Sequence, residues 1–158
     1  MGNLYPGQDP PPPASTAAGA RIQDVADDLR GPGPYVMSCA NLAGDPVIDA
    51  RGEDLGKLDH VMLDVPSGRI AYGVLARGGV FGIGERLFAI PWDALTLDVT
   101  RKCFVLDVDR DRLERAPGFD RDHWPAMADA QWATRVHDHF GVAPYWSRDP
   151  VRQARRTM

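Results

Sequence analysis

No apolar run in the 158-residue sequence approaches the ~18–20 residues that a bilayer-spanning helix needs, so a soluble chain is expected. The first thirty residues lack the apolar segment after a basic start that marks a secretory leader. Pro6 stands where an N-myristoylation signal carries Ser or Thr. The expected location is the cytoplasm. Cysteine is scarce: Cys39 and Cys103 form no Cys-x-x-Cys, lie in apolar surroundings, and are expected to be buried reduced thiols.

The motifs of catalysis are incomplete in the same way. Gly82-x-Gly84 lacks the third glycine of a dinucleotide fingerprint, because Leu87 occupies that place and a strand pattern follows. Asp107, Asp109 and Asp111 open like a calcium loop, yet Arg112 replaces the required glycine and Gly118 the closing glutamate. His137 and His139 are two apart and would point to different faces of a helix. His60 and His123 have no companion at ligand spacing, so all four histidines read as surface or capping residues. No Ser occupies a G-x-S-x-G elbow. The expectation is a non-enzyme, with no catalytic, cofactor-binding or metal-ligating residue assigned and no cofactor.

Charge is unevenly spread. The net charge is −4, but residues 147–158 hold Arg148, Arg152, Arg155 and Arg156 against Asp149. The acidic remainder argues against a nucleic-acid surface, which needs a basic patch. The basic tail reads as a solvated terminus, with any membrane contact peripheral.

What is present is a succession of short strand patterns between turn signals. Residues 1–34 read as a disordered arm around Pro10, Pro11, Pro12 and Pro13, with a short helix over 20–30 from the spacing of Ile22, Val25, Ala26 and Leu29. Strands are expected at 46–49, 55–65, 70–77, 85–90, 96–99 and 103–108, with a change of parity in the second that implies a bulge. Ala71, Gly73 and Leu75 alternate with Ile70, Tyr72, Val74 and Ala76, leaving one smaller face for close packing inside a barrel. A glycine-rich connection, residues 78–84, displays Val80, Phe81 and Ile83. Asp109 can cap a helix over 110–115, residues 119–125 read as an irregular linker, and Trp132, Val136 and Phe140 mark a helix over 127–140 ending at Gly141. Six strands with no helices between them point to a small antiparallel barrel.

Gly52-Glu53-Asp54-Leu55-Gly56-Lys57, Leu63-Asp64, Ser67-Gly68-Arg69-Ile70-Ala71-Tyr72 and Phe88-Ala89-Ile90-Pro91-Trp92-Asp93-Ala94-Leu95 together resemble the PRC-barrel family. That family is named for the cytoplasmic domain of the photosynthetic reaction centre H subunit and includes a domain of a ribosome-maturation factor. Ala116-Pro117-Gly118-Phe119, Trp124-Pro125, Trp132 and Pro144-Tyr145-Trp146 look like stand-alone bacterial members. The resemblance implies a mainly β protein with a six-stranded antiparallel barrel over 35–108, a helical extension over 109–146 packed on it, and a basic tail over 147–158. Gly52, Gly56, Gly68, Pro91 and Trp92 match the family as structural positions. It further implies a non-catalytic protein-binding or assembly module that self-associates, most simply as a homodimer. Val80, Phe81, Ile83, Trp132 and Trp146 are the candidate interface residues. The alternatives are a peripheral component of a photosynthetic or other membrane complex, and RNA or ribosome-assembly binding.

Overall fold

Backbone pairing, more than local propensity, shapes the molecule. The computed structural model describes residues 20–23, 35–79 and 83–148. Among them eight strands form one sheet: β1 (Arg21–Gln23), β2 (Pro46–Ile48), β3 (Asp54–Asp64), β4 (Arg69–Arg77), β5 (Arg86–Pro91), β6 (Leu95–Asp98), β7 (Cys103–Leu106) and β8 (Gly118–Phe119). Their spatial order is β1-β6-β7-β2-β3-β4-β5-β8. Three helices accompany them among the described residues: α1 (Cys39–Leu42), α2 (Arg110–Glu114) and α3 (Ala130–Phe140).

The run β6-β7-β2-β3-β4-β5 is the expected six-stranded barrel. Its two outermost members, β5 and β6, are consecutive in the chain and joined by a single 3-10 turn, Trp92–Ala94. Four residue steps reach roughly 14 Å at most, so the ends of the sheet must curl toward each other. The interior agrees. A Cβ on Gly73 of β4 would stand 3.1 Å from Leu95 Cδ1 of β6, four strands away in sheet order. β1 and β8 then pair with the outer sides of β6 and β5 at the seam.

Three expectations change. The described residues hold eight strands rather than six, and β1–β6 and β2–β7 are parallel pairs in an otherwise antiparallel sheet. Residues 21–23 are a strand where a helix over 20–30 was expected, and the rest of that segment lies outside the described residues. A helix that short is marginal alone, and pairing with β6 offers Ile22 a half-buried place beside Leu97. The supposed linker after α2 begins with β8, whose Phe119 is buried.

The parity change in β3 is a bulge, as the sequence implied. Leu58 faces Leu75 and His60 faces Val74, so Asp59 is the extra residue on β3. A second irregularity lies on β4, where Ala71 is skipped between Ile70 and Tyr72. Residues 71–76 of β4 are all buried, because one face lines the barrel and the other lies under α3 and the aromatic residues around it. At Gly56, φ is +137° and a Cβ would overlap the Ala76 carbonyl oxygen, so only glycine lets these strands approach.

The helices end as their caps dictate. The Asp109 carboxylate accepts the Arg112 amide at 2.7 Å at the start of α2, and Asp129 accepts the Gln131 amide at 2.8 Å at the start of α3. Gly141 terminates α3 in the left-handed conformation, φ +66°. Trp132, Ala133, Val136, His137 and Phe140 form its buried stripe. Full burial of a large apolar side chain contributes about 1.5–3 kcal/mol, which holds α3 down despite its length.

Candidate interaction surface

Four side chains from three parts of the chain meet on the outer wall of β4. Tyr72 presents its ring edge-on to Trp132 (5.6 Å between centroids), His137 (5.5 Å) and Tyr145 (6.0 Å). Trp146 in turn packs against His137 at 5.1 Å and Tyr145 at 5.0 Å. Trp132 is 8% exposed, so it is a core residue and not the interface residue expected from sequence. Trp146 is half-buried and holds the Tyr145–Arg148 turn against α3. Large rings so placed contribute packing energy to the fold itself.

His137 departs from the surface role expected of it: it is 1% exposed. Its Nδ1 lies 2.7 Å from the Ala133 carbonyl, which can only accept, so Nδ1 carries the proton and donates. Burial is the largest influence on this imidazole and pushes its pKa down, keeping it neutral. The neighbouring Tyr72 hydroxyl is buried and has no hydrogen-bond partner among the described residues. Burial, with a smaller effect from Tyr145, pushes its pKa up, so it stays a neutral phenol.

A second group lies toward solvent. Arg121 donates to Asp59 at 2.9 Å and forms an ion pair with Glu85. Asp59 also meets His60 Nε2 at 3.1 Å. The His60 ring stacks edge-on to Trp124 at 5.3 Å, while Trp124 donates its indole N–H to the Arg121 carbonyl at 2.8 Å. Exposed ion pairs add only ~0–1 kcal/mol each. Their effect here is positional: the loop after β8 is tied to β3 and to the start of β5. Trp124, 37% exposed, is thereby fixed at the surface, and Ile83 stands two residues before Glu85 with 80% of its surface exposed. Val80 and Phe81, expected beside Ile83, lie outside the described residues. Leu63 and Val65, which sequence reasoning passed over, are 55% and 77% exposed at the end of β3. Their alternating pattern was visible, but nothing in it says that this part of the strand lacks cover.

An open groove of about 580 Å³ runs between Gly44, Gly56, Lys57, Gly79 and Glu85. It is lined largely by backbone and by charges of both signs. Among the described residues no three His, Cys, Asp or Glu side chains are placed to hold a metal ion.

The structural positions behave as frame. Gly52 and Gly68 take positive φ in turns, Pro91 is buried at the end of β5, and the Trp92 ring packs on Phe104 at 5.8 Å across the seam. The cysteines split. Cys103 is buried, but Cys39 is exposed, because α1 is a single turn that buries only Leu42. Both are free thiols.

The curled sheet with its glycine contacts and aromatic cover defines a small β-barrel domain with a helical cap. Residues 35–113 match the PRC-barrel domain family model, 79 of the 158 residues. The chain belongs to the PRC-barrel domain family, and the matched region runs through most of α2, a little beyond the expected boundary at 108. Among solved structures, the chain is similar to one named as a 16S ribosomal RNA processing protein, RimM, from Pseudomonas aeruginosa. The two are 23% identical over 48% of this chain and 45% of that one, with a TM-score of 0.34. The chain thus spans less than half the length of that protein, and nothing about its partners follows from the likeness. A comparison with curated proteins finds no match. Among the described residues no helix is long and apolar enough to cross a membrane.

Proposed function

We propose that this PRC-barrel protein is a non-catalytic protein-binding module that self-associates, most simply as a homodimer in the cytoplasm. One observation carries the reading. The barrel fills its own core, yet Leu63, Val65, Ile83 and Trp124 remain exposed, the last fixed in place by an ion-pair network. Apolar and aromatic side chains held rigidly at a surface are what protein interfaces use as anchors. RNA or ribosome-assembly binding ranks below this, because a net charge of −4 disfavours a phosphate backbone. A peripheral place in a photosynthetic or other membrane complex would be a special case of the same protein-binding role. Light scattering across a concentration series tests the self-association. A mass above the 17.3 kDa of one chain is expected; a constant 17.3 kDa would remove self-association from the proposal.

A further inference from the structure

His137 is enclosed by two walls that differ in depth. One wall is β4, whose Tyr72 ring meets the imidazole at 5.5 Å. The other is the Tyr145–Arg148 turn, with the Tyr145 ring at 6.0 Å and the Trp146 ring at 5.1 Å. β4 is hydrogen-bonded along both edges, to β3 and to β5. α3, which carries His137, is sunk in the core through Ala133, Val136 and Phe140. It is also tied to α2, because Arg112 and His139 each donate to the other's carbonyl oxygen. The turn is the shallow wall. Tyr145, Trp146 and Ser147 are half-buried, and the Ser147 amide and hydroxyl fold the segment on itself by donating to the Pro144 carbonyl at 3.0 and 2.7 Å. Arg69 donates to the Tyr145 carbonyl at 3.3 Å, at the surface.

The closed turn keeps water from polar groups beneath it. The Tyr72 hydroxyl is buried there with no hydrogen-bond partner among the described residues. His137 donates from Nδ1 to the Ala133 carbonyl, which leaves Nε2 as the nitrogen that a further proton would take. The surroundings suit a neutral ring better than a cation. Tyr72 of β4 and Tyr145 and Trp146 of the turn meet it with rings rather than carboxylates. Two acids favour the charged form, Asp93 of the Trp92–Ala94 turn and Asp138 of α3, but they act from a distance and more weakly than burial opposes it. Arg69 sets a positive charge against the Tyr145 carbonyl. A buried ion without a close partner costs far more than a buried neutral ring. Above pH ~6.5 the imidazole is neutral whether the turn is open or closed, so closure does not depend on pH there. Below it the open form gains a proton that the closed form excludes, and opening becomes easier by up to about tenfold per pH unit.

We propose that the Tyr145–Arg148 turn is a latch that protonation of His137 releases, uncovering Tyr72 while the barrel stays folded. The step is local. Lifting Tyr145, which lies 6.0 Å from the Tyr72 ring, and Trp146 lets water reach both His137 Nε2 and the Tyr72 hydroxyl. α3 keeps its hold on the core through Ala133, Val136 and Phe140. The latch is independent of self-association.

The test is amide exchange and NMR on the full chain between pH 7.5 and pH 5, with exchange expressed as protection relative to an unstructured peptide at each pH. Protection of the Ser147 amide, which bonds the Pro144 carbonyl, should fall at least tenfold as pH drops, and the Trp146 ring resonances should move with it. The amides of β4 and of Val136 should keep their protection. The His137 ring should titrate with the same midpoint as the change at Ser147, and His137→Phe should leave Ser147 protected throughout. Equal protection of Ser147 at both ends of the range would overturn the latch, as would the same fall in the His137→Phe chain. Loss at Ser147, β4 and Val136 together would mean that the whole domain opens and would overturn it too. Should His137→Phe not fold, the unaltered chain decides: an imidazole that stays neutral while Ser147 opens removes proton control.

Discussion

Gly73 of β4 lies against the Leu58 side chain of the neighbouring strand β3, inside the barrel, with no room for a side chain between them. A Cβ at Gly73 would stand 2.8 Å from Leu58 Cδ1 and 3.1 Å from Leu95 Cδ1, with the Trp92 ring 3.7 Å away. All of these are packed where strands from both ends of the sheet converge. Gly73→Ala should therefore destabilise the fold by about 1–3 kcal/mol, the usual cost of overpacking a filled core. Leu58→Ala alone should cost about 2–5 kcal/mol through the cavity it leaves. Because the two changes share one space, the double variant should lose less than their sum. Urea unfolding of the four chains measures this; strict additivity would mean that the two residues do not meet.

Asp98 is the acid that ties the seam together. It is 1% exposed and accepts the Arg101 amide at 2.9 Å, the Arg101 guanidinium at 2.7 Å and the Gln23 side-chain amide at 2.8 Å. These contacts, the Arg101 amide foremost, lower its pKa to about 2. The depressed carboxylate stabilises the folded chain above its unfolded pKa of about 3.9, and that stability is lost as pH falls toward 2. Asp98→Asn should lower the melting temperature at pH 7, with the gap closing between about pH 4 and pH 2. Exchange at the Ile22 amide should quicken in the variant, since Gln23 loses its anchor. A gap that does not change with pH would show that the charge has no part in holding β1.

His137 gives a pH effect of the opposite kind. Its folded pKa lies below the ordinary value of about 6.5 because burial disfavours the imidazolium. Above pH 6.5 neither state is protonated there, so the histidine makes stability no steeper with pH. Below it the unfolded chain gains a proton that the folded chain refuses, and stability falls. The comparison is with His137→Phe, which leaves the other three histidines in place. The melting temperature of the original chain should drop more steeply between pH 7 and pH 5 than that of the variant. Trp146 fluorescence follows the same site, because its ring rests on the imidazole at 5.1 Å. Parallel pH profiles would place His137 in contact with water.

The barrel was legible in the sequence because its signals are local. Gly56, Gly68 and Pro91 punctuate strands, the changed parity of β3 announces a bulge, and Asp109 and Gly141 sit where caps belong, although α3 starts at Ala130 behind Asp129 and not at 127. What stayed hidden depends on distant partners. Residues 21–23 have a helical spacing, and only β6, more than seventy residues later, makes them a strand. Trp132 looks like an interface residue until Tyr72 is placed against it, and His137 looks like a surface one until β4 closes over it. The reach of β2 along β3 is the extreme case. A strand's sequence records which face is apolar, but not whether a neighbour stops at Leu58 or continues to Asp64.

The two thiols should separate in a labelling experiment. Cys103 is 4% exposed on β7, between the buried Asp98 with which it pairs and Phe104, and burial raises its pKa above that of a free thiol. Thiolate is the reactive form, so Cys103 is both shielded and largely protonated at pH 8. Cys39 starts α1 and is exposed. A thiol reagent at pH 8 should modify one cysteine per folded chain rapidly and the second only as fast as β7 opens. Addition of denaturant should bring both to the same rate. Cys39→Ser should abolish the fast phase, whereas Cys103→Ala should leave it and remove the slow one. Two fast thiols in the folded chain would mean that β7 does not shield Cys103.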